Sequence, residues 1–145
     1  MIRRETDAAL VNRIANHPAV LPYFDLGQAG LLDFSACVAS DDYRVLTCGD
    51  EAAALFEWSA PGVWEGHVMI LPTCRGRRAV EAGKALCGWM FDHGADMLWG
   101  ATPSILRHVR WFNRRVGFEP AGIGLHHTLG EVERFVMRKP GWSHP

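Results

Sequence analysis

Along the chain, apolar and polar positions change period several times, and each change predicts an element. Ala9, Leu10 and Ile14 share one helical face, so a helix is expected from about Thr6 to Asn16, with Thr6 as its cap and His17-Pro18 as its stop. The next stretch, AVLPYFDLGQAGLLDF, is broken by Pro22 and Gly30 and reads as either a short helix or an irregular loop. Three strand-like runs follow: Tyr43 to Gly49, Ala52 to Ala60 and Val63 to Leu71. The turns GDE and APG between them are short, which implies antiparallel neighbours. After Arg75 the period becomes helical. Ala79, Ala82, Leu86 and Met90 form a stripe that runs to about His93 and stops at Gly94. Asp96 to Thr102 reads as a buried strand. Thr102-Pro103 reads as a cap with proline in the first helical position, opening a helix whose stripe is Ile105, Val109, Phe112 and Val116. Two strands, FEPAGIGLHHT and EVERFVMRK, close the chain around Leu129-Gly130. This order predicts an α/β (α+β) fold, a mostly antiparallel sheet flanked by helices.

Composition narrows the reading. A chain of 145 residues without repeats or a linker is expected to form one domain, residues 1–145, with a single core. Fifteen basic residues balance sixteen acidic ones, which argues against a general nucleic-acid binder. The N-terminal MIRRETDAALVNRI has no apolar secretory core, and no apolar run approaches the roughly 20 residues of a membrane span. Cys37, Cys48, Cys74 and Cys87 fit no zinc spacing and read as free thiols in a reducing compartment, so a cytoplasmic location is expected and no metal. His126 and His127, adjacent in a strand, should face opposite ways and not share an ion.

One junction stands apart. In ILPTCRGRRAVEAGKAL an apolar strand gives way to a helix, and Arg75, Arg77 and Arg78 sit at the helix start. A helix N-terminus already carries partial positive charge, so cations there are misplaced by about 0.3–1 kcal/mol each if exposed. Free N–H groups, the dipole and forked guanidinium donors together suit a phosphate, and Gly76 allows close approach. The alternative is solvated arginines turned away from the axis. The strand before the junction carries Glu65 and His67 two apart, hence on one face. They fit a proton acceptor and its orienting partner, or else ordinary surface positions.

The strand, LPTCRGRRA and the following helix resemble the acetyl-CoA loop of the GNAT acetyltransferase superfamily, usually Arg-Gly-x-Gly-x-Gly/Ala after a strand ending in x-Pro. Pro72, Arg75 and Gly76 match; Arg78 and Val80 stand where small residues are usual. WFNRRVGFEPAG is similar to the family's second signature, Tyr-x-(Lys/Arg)-x-Gly-Phe, through Arg115, Gly117 and Phe118. Asn113 holds the place of the tyrosine, the usual acid, and Leu106 that of an asparagine. The resemblance covers roughly Tyr43 to Lys139, and RHVRWFNRRVGF also resembles GNAT-like proteins of bacteriophages. It implies a splayed sheet of about six or seven strands. It further implies acetyl-CoA as acyl donor, with Met69, Ile70 and Leu71 along the pantetheine arm. The backbone of Arg75, Gly76, Arg77, Arg78 and Ala79 would lie on the diphosphate, and Asn113 near the thioester. The activity implied is acetyl transfer to an amine of a small molecule or protein by direct attack, with Glu65 or His67 as base. Dimers are common in the family, so a homodimer through the final strands is among the expected states. The departures at Arg78, Val80, Leu106 and Asn113 imply the competing class, an inactive GNAT-fold interaction module.

Overall fold

The computed structural model describes residues 1–141. Seven strands form one sheet: β1 (Ile2–Arg4), β2 (Tyr43–Cys48), β3 (Ala52–Ala60), β4 (Val63–Ile70), β5 (Met97–Pro103), β6 (Glu119–His126) and β7 (Gly130–Arg138). Their order is β1-β2-β3-β4-β5-β7-β6, antiparallel except for β4 and β5, which run parallel. The helices are α1 (Ala9–Ala15), α2 (Ser35–Val38), α3 (Arg77–Asp92) and α4 (Arg107–Val116).

The two-residue period of β2, β3 and β4 sorts the core onto two faces. Val45, Ala53, Leu55 and Met69 pack beneath α1 with Val11 and Ile14. Their neighbours Leu46, Ala54 and Phe56 pack on the other face with Leu86 and Met90 of α3 and Leu98 of β5. β3 is thus buried on both sides over AAALF, and each fully buried large side chain contributes roughly 1.5–3 kcal/mol. Buried Thr47 donates its hydroxyl proton to Glu5 Oε1 at 2.6 Å, which satisfies the polar group β2 carries inward.

Several elements begin elsewhere than the pattern indicates. β1 is a three-residue strand paired to β2 that its short, charged sequence conceals. α1 starts at Ala9, and Asp7 rather than Thr6 serves its free N–H groups: Asp7 Oδ1 accepts from Ala9 N–H at 2.6 Å. Pro103 does not open a helix. It extends β5, opposite Val132, at a point where β4 no longer accompanies β5 and one ladder has ended. α4 begins four residues later, leaving Ile105 outside it and exposed. The broken stretch after α1 folds as two 3-10 turns, Leu21–Tyr23 and Asp25–Gly27, joined through Asp25 and Leu26 at positive φ. β6 ends at His126, so the chain leaves strand geometry there and the His126 and His127 rings stack at 4.5 Å instead of facing apart. No helix among the described residues is long and apolar enough to cross a membrane.

Candidate active site

β4 and β5 are in register only at Val63–Met97, Trp64–Leu98 and Glu65–Trp99. Beyond Glu65 they part. β4 continues on β3 as far as Ile70, while β5 continues on β7 as far as Pro103. Among the described residues the gap is the sheet's one internal break, and past Glu65 the facing rims of β4 and β5 are not paired with each other. It opens into a cavity of about 930 Å³, a size suited to a cofactor arm plus a small acceptor. Two glycines keep the mouth narrow: a Cβ on Gly100 would lie 3.3 Å from the Gly66 carbonyl oxygen.

Of the sequence-selected residues, Glu65, His67, Met69, Ile70, Leu71, Arg75, Ala79 and Asn113 all line this cavity; Gly76, Arg77 and Arg78 lie beyond its wall. Leu71 has its backbone committed: its N–H donates to Glu51 C=O at 2.8 Å and its C=O accepts from Cys74 N–H at 2.9 Å. Gly76 caps α3 with φ 59° and ψ −129°, a conformation open to glycine alone without strain. The first backbone bond of α3 runs from Val80 N–H to Gly76 C=O at 3.2 Å, so the N–H groups of residues 76–79 precede the ladder. No acidic side chain occupies that first turn. Arg75 Nε turns back onto the Pro72 carbonyl. Arg78 donates to Glu51 Oε1 at 2.7 Å and to Thr73 C=O at 3.2 Å.

At the other end of the cavity Glu65 and His67 lie on one face, with Glu65 Oε1 and His67 Nε2 3.3 Å apart. Glu57, which the sequence reading omits, stands opposite Glu65 on β3. Glu57, Glu65 and His67 offer atoms all within 4.8 Å of one another, a set able to hold a cation or a protonated amine. The negative charge registers on neighbours: burial, Glu57 and Asp33 push the Cys37 thiol up, and Glu57 leads in raising the Tyr43 phenol. Phe24 covers His67, ring centroids 5.3 Å apart, and is itself set edge-on against Phe34. Tyr23 meets His108 of α4 edge-on at 5.1 Å, and Gln28 Nε2 donates to Thr128 C=O at 3.4 Å. The irregular 19–33 stretch is thereby tied to α4 and to the β6–β7 turn, forming the cavity's outer wall.

The α4 side provides no carboxylic or phenolic acid at position 113. Asn113 donates from Nδ2 to Thr102 Oγ1 at 2.9 Å. Arg110 and Arg114 address buried Glu133 at 3.9 and 3.1 Å, which fixes α4 on β7. Cys74 lies in the loop before α3, where burial first, then Glu51, pushes its thiol up and disfavours the thiolate; Cys87 is pushed up to about 12 by burial alone. Cys37 and Cys48 are half-buried whereas Cys74 and Cys87 are buried, so in native protein a disulfide-exchange thiol reagent is expected to modify Cys37 and Cys48 well before Cys74 and Cys87, with all four reacting in denaturant. Mass-spectrometric mapping checks this, and fast native labelling of Cys74 would reopen a covalent route.

No family model and no curated protein sequence matches the chain. Solved structures do. Spermidine N-acetyltransferase from Vibrio cholerae, in complex with CoA and spermine, superposes with TM-score 0.72 at 11% identity over 96% of this chain and 95% of its own. YncA from Salmonella typhimurium, solved with its cofactor acetyl-CoA, gives 0.69 at 18% identity over 100% and 96%. A GNAT-family protein from Chromobacterium violaceum gives 0.69 at 19% over 93% and 83%. Full-length superposition at such low identity is a statement about architecture, and with the parted parallel pair and the glycine-capped helix beside it, the chain has the fold of the GNAT acetyltransferases.

Proposed function

We propose that the protein is an N-acetyltransferase that takes acetyl-CoA as donor and passes the acetyl group directly to an amine. The observation that carries this reading is the parting of β4 and β5 beside the glycine-capped N-terminus of α3. The open rim of β4 at Met69 and Ile70 suits the amides of a pantetheine arm. The N–H groups of residues 76–79 suit the diphosphate, and Arg75, at the cavity wall, supplies a forked cation to it. The structures solved with CoA or acetyl-CoA support that choice of donor.

The chemistry follows from the acceptor end. An alkyl amine with a pKa of about 10.4 is neutral in roughly one molecule in 2,500 at pH 7. The carboxylates of Glu57 and Glu65 attract the ammonium form, and His67, held at 3.3 Å by Glu65, accepts its proton. The free amine attacks the thioester carbonyl, and an unpaired β4 N–H at the gap stabilises the oxyanion. Asn113 cannot protonate the departing sulfur, so the thiolate leaves unaided by that position, an amide N–H being a hydrogen-bond donor only. The acceptor is a cationic amine, and the vicinity of Asp25 and Asp33 in the same cavity favours a small molecule with a second positive charge.

Acetyl-CoA at a hundredfold excess over its Kd stabilises the native state by about 2.7 kcal/mol, which raises Tm by roughly 5–10 °C for a chain of this size. Thermal denaturation with and without ligand measures it, and an unmoved Tm at millimolar ligand would remove the enzyme reading. Arg75→Ala is expected to weaken CoA binding roughly tenfold, the worth of one charge-assisted contact, in isothermal titration. Unchanged affinity would take Arg75 out of the phosphate seat.

A further inference from the structure

The arginine that replaces a small residue in the loop, Arg78, has a partner no motif contains. Glu51 lies in the turn between β2 and β3 and holds the loop 71–78 at both ends. Its backbone C=O accepts from Leu71 N–H at 2.8 Å, where β4 runs out. Its side chain takes Arg78 Nη2 at 2.7 Å, one residue into α3. The same guanidinium reaches back from Nη1 to the Thr73 carbonyl at 3.2 Å. A planar fork can serve two acceptors at fixed separation; an ammonium on a flexible stem cannot do so with the same geometry. Between these two ties lie Cys74, Arg75 and Gly76, the segment that turns the chain from strand to helix and presents the α3 N–H groups. Arg78 itself lies outside the cavity wall, so its guanidinium is committed to the loop rather than aimed at a ligand.

Resting on the acetyl-CoA reading, we propose that Glu51 is a positioning residue for the cofactor's diphosphate: through Arg78 it staples the loop in the shape that presents the free N–H groups of residues 76–79. Charge alone gives the opposite expectation. Neutralising a carboxylate near an anion seat should tighten binding, whereas removing a staple should weaken it. The sign of the change therefore separates the two.

The experiment is isothermal titration of CoA into wild type, Glu51→Gln, Arg78→Lys and the double variant, with hydrogen exchange of residues 72–80 followed in the cofactor-free proteins. Each single variant is expected to weaken CoA about three- to fivefold, the size of an exposed but well-formed pair, and the double no more than either alone. Exchange in the loop is expected to quicken in all three while the amides of β3 stay protected. Glu51→Asp, which keeps the charge, is expected to recover part of the affinity. Tighter or equal binding by Glu51→Gln, or losses that simply add in the double variant, would overturn the staple while leaving the enzyme reading intact. Absence of CoA binding by wild type would instead take both down, and the two failures are read from different samples of one series.

Discussion

His67→Ala is expected to lower kcat for acetyl transfer by about two orders of magnitude, at the lower end of what a positioned proton acceptor contributes. The pH dependence of kcat/KM should change with it. CoA affinity should stay the same, because the imidazole lies against Phe24 and is not part of the proposed diphosphate seat at Arg75 and the start of α3. Glu65→Gln should cost less and act through a different parameter. On the proposed reading Glu65, 3.3 Å from the ring, orients it and helps draw in the ammonium, so its loss should raise KM for the amine as well as slow turnover. Steady-state kinetics across pH for both variants, with free thiol released from CoA as the readout, checks this. A profile unaltered in both variants would remove the base from β4 and leave water-mediated transfer from elsewhere in the cavity.

Glu65 and His67 were legible because a two-residue period needs nothing beyond the strand itself. Glu57 was not, although it completes the group. Counting back from the APG turn pairs Ala60 with Val63 and would set Trp58, not Glu57, across from Glu65. The register shift between Trp58 and Ala60 moves every partner by one, and a bulge of this kind leaves no mark in an apolar-polar pattern. The same limit hid the partner of Arg78. Glu51 and Arg78 are 27 positions apart and meet only because β3 lies beside the end of β4. The loop's glycine and proline signals mark the strand-to-helix junction, which falls between the end of β4 at Ile70 and the start of α3 at Arg77. Whether an arginine there turns toward the ligand or away from it depends on a carboxylate supplied by another hairpin. The start of α4 misled for a third reason. Thr-Pro is a sound helix signal in isolation, yet β7 extends pairing through Pro103 and the helix waits until Arg107. Tertiary pairing outweighed the local preference.

The largest effect on stability is expected from Phe56→Ala. Phe56 is fully buried in β3 on the α3 face, in one cluster with Trp64, Leu86, Met90 and Leu98. It stands opposite Gly66 in register, and a Cβ on Gly66 would come within 2.9 Å of its Cε1, so the ring covers bare backbone between Glu65 and His67. The site therefore rests on this side chain: the two polar residues face the cavity, and the glycine between them is roofed from behind by an aromatic ring. Truncation removes the ring and leaves a void that β4 can close only by moving those two residues. The cost is about 3–5 kcal/mol, which corresponds to a Tm lower by roughly 10 °C. Phe56→Leu retains most of the volume and should lose about half as much. Urea unfolding with a shared m-value measures both, and a Phe56→Ala loss below about 1 kcal/mol would mean the core behind β4 collapses without resistance. Activity offers the complementary reading. Held well below its Tm, Phe56→Ala should still lose kcat per folded molecule, because the distance between Glu65 and His67 depends on the strand that the ring supports.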